Sequence, residues 1–229
     1  SADFEGQPDV DQLLPRILDT LFEIFPQAAR GYILLEEGTE EGKTFQGLGL
    51  AFELDWQVGV LGLGLDAGFA TGDDGQFNGV LDGQDVVDPD DDAYATNDAL
   101  RANRNITAFY FNRDYHLDQV LFRQVIGAVT NAVYFKPWVS YDFLRTDTMK
   151  LSARFDALYA LAMRPSGTPG DGDSWGVELD ARLSLELTSG FNASLTGGLL
   201  IPLDALQNRD TGESADLSGA LRALMGWRF

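Results

Sequence analysis

From Leu217 to Phe229 every odd position is apolar or glycine: Leu217, Gly219, Leu221, Ala223, Met225, Trp227 and Phe229. The even positions between them include Ser218, Arg222 and Arg228. A period of two belongs to a strand, whose successive side chains point to opposite faces, and not to a helix. The pattern recurs upstream. Trp175, Val177, Leu179, Ala181, Leu183, Leu185 and Leu187 alternate with Glu178, Asp180, Arg182 and Glu186. Met149, Leu151, Ala153, Phe155, Ala157, Tyr159, Leu161 and Met163 alternate with Lys150, Arg154 and Asp156. Residues 191–203 and 133–143 repeat the alternation, the latter with Asp142 on its polar face. Two earlier stretches, 44–56 and 58–71, set Leu48 to Trp56 and Leu61 to Phe69 opposite Glu53, Asp55 and Asp66. The short apolar run Tyr32–Leu35 is a weaker eighth strand.

Strands of this length exceed the ~5–6 residues usual in globular proteins. A β-sandwich would alternate too, but with shorter strands and turn signals every ~8–12 residues. A tilted strand of ~9–11 residues crosses a bilayer, so these are long enough to span one. The connections alternate in length. They are tight at Gln57–Gly59, Arg145–Thr148 and Ser189–Gly190, and long at 72–130, 165–174 and 204–215. Outer-membrane barrels have short periplasmic turns and longer extracellular loops. A periplasmic C-terminus puts these tight turns inside and these long loops outside. The expected fold is an all-β, antiparallel up-and-down transmembrane barrel of about 8 strands, with 10–12 open if the long loop adds more.

Composition agrees with this and excludes other classes. The 229 residues hold 16 Lys and Arg against 36 Asp and Glu, a net charge of −20, which argues against nucleic acid as a partner. With 45% hydrophobic and 11% aromatic residues the chain is no disordered acidic tail. Having no cysteine, it has no disulfide scaffold, thiolate metal site or cysteine nucleophile. No apolar run approaches the ~20 residues of a spanning helix.

Two regions do not alternate. In 10–25, Leu13, Leu14, Ile17, Leu18, Leu21, Ile24 and Phe25 form a helical stripe, with Asp11 as N-cap and Pro26 as stop. The chain therefore divides into an N-terminal segment, 1–28, with an amphipathic helix, and a barrel, 29–229. In the long loop, Asp73 to Asp98 is crowded with aspartates, whereas 106–127 carries Phe109, Tyr110, Phe111, Tyr115, Leu117, Val120, Leu121 and Phe122. The second half is too apolar for a solvated loop. It is expected to fold into the barrel mouth or to supply a short pair of strands.

Candidate functional residues follow from the phase. The lumen-facing set is Glu53, Asp55, Asp66, Asp142, Lys150, Arg154, Asp156, Glu178, Asp180, Arg182, Glu186, Arg222 and Arg228. In an eight-stranded barrel side chains just fill the interior and these charges would pair; in a larger one they would line water and set selectivity. The acidic excess would favour cations. Trp56, Phe143, Phe191, Trp227 and Phe229 fall at the tight-turn ends of the strands, and Phe69, Tyr159 and Trp175 toward the other ends. These are the two aromatic girdles a membrane-embedded barrel requires. Trp138 lies mid-strand in the lumen-facing phase and fits neither. Asp88, Asp90, Asp91 and Asp92 offer hard oxygen ligands that suit Ca²⁺, without the ordered spacing of an EF-hand loop. The single histidine, His116, has no serine beside it, so no base and nucleophile pair emerges and the chain reads as non-enzymatic. A barrel hydrolase using carboxylates is the exception left open.

The terminal run Leu221, Ala223, Met225, Trp227, Phe229 resembles the C-terminal signature of Gram-negative outer-membrane β-barrels. That resemblance implies recognition by the barrel-assembly machinery, residence in the bacterial outer membrane, and contact with its lipid and lipopolysaccharide. The segment Phe111-Asn112-Arg113-Asp114-Tyr115-His116-Leu117-Asp118-Gln119-Val120-Leu121-Phe122-Arg123, with Gly127 and Tyr134-Phe135-Lys136-Pro137, resembles uncharacterised outer-membrane barrels of myxobacterial type. Those chains are longer, which implies a shorter relative or the C-terminal part of a larger barrel. The start Ser1-Ala2-Asp3 is what an exported chain shows after leader cleavage. The functional expectation is a porin or small channel with an acid-rich lumen. The alternatives are a closed structural or adhesion barrel, and a soluble calycin-like barrel that holds an apolar ligand. Oligomeric state is not legible.

Overall fold

The computed structural model describes residues 16, 19–20, 28–40, 43–73 and 105–228. Eight long strands follow one another as an antiparallel meander: β1 (Ala28–Glu40), β2 (Lys43–Val58), β3 (Leu61–Ala70), β5 (Ala132–Arg145), β6 (Met149–Ala162), β7 (Ser174–Leu187), β8 (Phe191–Pro202) and β9 (Ser218–Trp227). The ninth, β4 (Asn105–Ile106), is two residues long and lies parallel to β2 at Thr44 and Phe45. Among the described residues no ladder joins β1 to β9, so the sheet has two edges.

The strand set matches the periodicity, with one enlargement. The run Tyr32–Leu35 is the centre of a 13-residue strand, β1, which pairs with β2 along its length. The β1–β2 hairpin overshoots the sheet, because β2 meets β3 only from Gly49 onward. Its closing pair, Glu40 and Lys43, lies at the same end of the sheet as the long loops, an exception to the alternation of loop lengths.

The opposite end carries the tight turns at 59–60, 146–148 and 188–190. Gly59 (φ 62°) and Gly190 (φ 92°) take the left-handed conformation that such reversals require and that a side chain disfavours. At the other end β3 stops and β5 starts, and there too lie 163–173 and 203–217.

The two faces of the sheet differ in kind. On one face Trp56, Phe135, Tyr141, Phe143, Phe155, Leu183, Leu195, Met225 and Trp227 are exposed. On the other, Ala51, Ala70, Ala132, Tyr134, Leu158, Ala160 and Leu200 form a buried cluster with Phe109, Phe111, Leu117, Val120, Leu121 and Phe122. The apolar half of the long loop thus folds back onto the inner face at the long-loop end. Of the two outcomes expected for it, the fold-back is the larger, and its strand contribution shrinks to β4.

Glycines make room for this insertion. A Cβ on Gly49 would collide with the edge of the Phe109 ring, and one on Gly198 with Asp180 and Gln119. The predicted helix over 10–25 lies mostly outside the described residues; Arg16, Asp19 and Thr20, which are described, are helical.

Candidate functional site

The inner face is built in rows, because antiparallel pairing sets same-phase residues of neighbouring strands side by side. Glu53, Asp66, Asp142, Lys150, Arg154, Asp156, Glu178, Asp180, Arg182, Glu186 and Arg222 all fall on it. Asp55 shares the phase but is exposed near the tight-turn end, and Arg228 lies just past β9, where its N–H donates to the Gly190 carbonyl at 2.9 Å.

The half of this face nearest the long loops is filled by residues 107–131. The segment re-enters beside the end of β3, where Thr71 Oγ1 donates to the Thr107 carbonyl (2.7 Å) and Phe109 N–H to the Thr71 carbonyl (2.9 Å). It then forms one π-helical turn, Leu121–Ile126. The first amides of any helical turn have no partner within it. Here Glu178, fully buried on β7, accepts from Gln119 N–H (2.8 Å), Val120 N–H (2.8 Å) and Leu121 N–H (2.7 Å). Asp118 accepts from Phe122 N–H (2.7 Å) and Arg123 N–H (3.1 Å). Burial, and then the Glu178 carboxylate beside it, push the Asp118 carboxyl up to about 7. Tyr115 and Tyr134 add a hydroxyl pair at 2.8 Å.

Ion pairs run from the middle of the face toward the tight turns. Lys136, which the strand phase places inward though its role was not expected, stands 3.5 Å from Asp66 and 3.3 Å from Asp156. Arg154 bonds Asp156 through Nε (2.9 Å) and Nη2 (2.6 Å) and lies 3.6 Å from Asp66. Its guanidinium sits 4.1 Å over the Trp138 ring. Trp138 is thus a platform for the charge network, in space that Gly64 leaves open across the ladder. A second group joins Asp142 to Arg145 and Lys150, both at 3.4 Å.

The expected girdle aromatics divide. Trp56, Phe143, Tyr159 and Trp227 are exposed on the apolar face, with Phe191 packed against Trp227 at 5.8 Å between ring centres. Phe69 is half-buried in the same phase. Trp175 corrects the expectation: it is fully buried, and its Nε1–H donates to the Asn131 carbonyl at 2.9 Å. The cause is a bulge. Ala160 pairs with Gly176 and Leu161 with Ser174, leaving Trp175 as the extra residue turned inward. Phe229 and the aspartates Asp88, Asp90, Asp91 and Asp92 lie outside the described residues. His116 is exposed on the inserted segment.

The latch between Glu178 and the π-helical turn escaped sequence reasoning, which saw Glu178 only as a wall charge. Its one sequence signal is Asp118-Gln119-Val120-Leu121, an acidic cap ahead of an apolar run. No family model matches the chain, and no curated protein matches it in sequence.

Proposed function

We propose that the chain is an eight-stranded outer-membrane β-barrel that is closed in its resting state. In this reading β9 meets β1, the tight turns face the periplasm and the aspartate-rich loop faces outward. The observation that carries it is the inversion of sidedness: large apolar side chains exposed on one face, and charged ones such as Glu178, Asp156 and Lys136 buried on the other. A soluble protein gains stability from the reverse arrangement, whereas lipid on the outside makes this one favourable.

The inserted segment favours a sealed barrel over a porin. Eight strands leave an interior that side chains alone nearly fill, and buried residues of 107–131 pack against the inner face at one end of this one. The reading is therefore a barrel that anchors and displays its outer loop, not an open porin. A calycin-like barrel would need Phe135, Leu183 and Met225 to line its interior, yet these are exposed. The test is electrophoretic mobility in SDS before and after boiling, with detergent-extracted protein. A heat-dependent shift is expected, as is silence in planar bilayers over a wide salt range. A protein that stays folded and monodisperse without detergent overturns the membrane reading, and steady conductance overturns the closed one.

A further inference from the structure

We propose that the inner face binds a phosphate-type oxyanion between Arg182 and Arg222. Arg154, Arg182, Thr196 and Arg222 are direct cross-strand partners on β6, β7, β8 and β9, so three guanidinium groups share one row. Arg154 is neutralised by Asp156 and Asp66. The other two are not. Among the described residues neither has a carboxylate within ion-pair distance. Arg182 Nε reaches only Thr196 Oγ1, at 3.3 Å, and Arg222 Nε is buried without a hydrogen-bond partner.

Like charges set across a ladder repel, and a buried unsatisfied donor costs about 1–3 kcal/mol. In a chain of net charge −20, no carboxylate among the described residues pairs with either arginine, not even Asp180, two residues from Arg182 on the same face. Arg182 and Arg222 lie two strands apart, about 10 Å between backbones, within reach of one group held over Thr196. Toward the tight turns the wall continues with Ser184, Ser194 and Asn192, around a cavity of ≈370 Å³ that ends at Arg228. Glu186 also lines that cavity, but about 13 Å along the strand from Arg182. Guanidinium forks with hydroxyls beside them match the several acceptor oxygens of a phosphate better than a halide. The far half of the inner face is filled, so the ligand arrives from the tight-turn end. That route rests on the membrane reading; the arginine row itself does not.

The experiment uses the full chain in detergent micelles, with its heat-dependent mobility recorded alongside. Calorimetric titration with inorganic phosphate at constant chloride is expected to show saturable binding, at least tenfold weaker in the Arg182→Gln/Arg222→Gln variant. Arg209→Gln, at an exposed loop pair with Asp171, should bind as the unaltered protein does. A soluble short-chain phosphatidate as second titrant separates the sources. Tighter binding than phosphate names a phosphorylated headgroup, and equal binding names the free anion. In the unaltered protein, phosphate should slow phenylglyoxal modification of Arg182 and Arg222, a readout independent of any variant's folding. Absence of saturable binding, or equal affinity in the double variant, overturns the proposal. Arginine-dependent binding without a heat-dependent mobility shift keeps the site and discards the membrane reading.

Discussion

Glu178 has no exposed surface, yet its carboxylate is satisfied by three backbone amides and needs no cation. Bonds of this type are charge-assisted, and removing one side leaves buried donors orphaned. Glu178→Gln replaces an acceptor by an amide NH₂ that faces an N–H. The expected loss is on the order of 2–4 kcal/mol in the docking of 107–131. Amide exchange at Gln119, Val120 and Leu121 would read it directly, and unchanged protection would sink the latch. Asp118 adds a pH dependence. Its folded value, raised to about 7 from an ordinary 3.8, means that the docked segment holds a proton that the free segment releases. The contribution is fully present below pH ~4 and fades as pH rises through ~7. Protection of these amides, corrected for intrinsic exchange, should therefore fall between about pH 4 and pH 7 and level off above that. Asp118→Asn, which keeps the acceptor for Phe122 N–H, should flatten that dependence.

Within elements, legibility followed the length of uninterrupted alternation. β6, β7, β8 and β9 were readable because each keeps one phase over many residues, and the apolar and charged faces cannot exchange without inverting both. Trp175 was misread because a bulge at Gly176 slips the phase by one, and no local residue pattern announces a bulge. The latch was unreadable for a different reason: Glu178 and Gln119 are 59 residues apart, and periodicity reports faces, not partners. The apolar half of the long loop was legible as non-solvated, but where it docks depends on space left by Gly49 and Gly198. Replacing 107–130 by a short Gly-Ser linker should remove that filling while leaving β3 to pair with β5. Planar bilayers should then show discrete conductance where the intact chain is expected to show none. Silence in both would mean that the ion pairs around Lys136 and Arg154 seal the interior alone.

For the whole molecule the decisive matter is whether the two edge strands, β1 and β9, meet. An eight-stranded meander with one apolar face and one charged face cannot be stable in lipid as an open sheet, because every second N–H and C=O of each edge strand would face hydrocarbon, at several kcal/mol apiece. The exposed apolar side chains of β9, among them Leu221, Met225 and Trp227, belong to such an edge. Closure satisfies both edges at once. Closure would also set the size of an eight-strand interior, and so how tightly Glu178 and Lys136 are enclosed. In β9 the amides alternate between those that point at β8 and those that point away. With the protein in micelles, exchange should be slow at successive residues from Ser218 to Trp227 if β1 pairs there. An open sheet would show slow and fast amides in strict alternation along the same strand. Uniform protection that collapses to alternation when β1 is trimmed would identify β1 as the closing partner. Uniform protection that survives the trimming would point to a strand from another copy of the chain, and hence to a larger shared barrel.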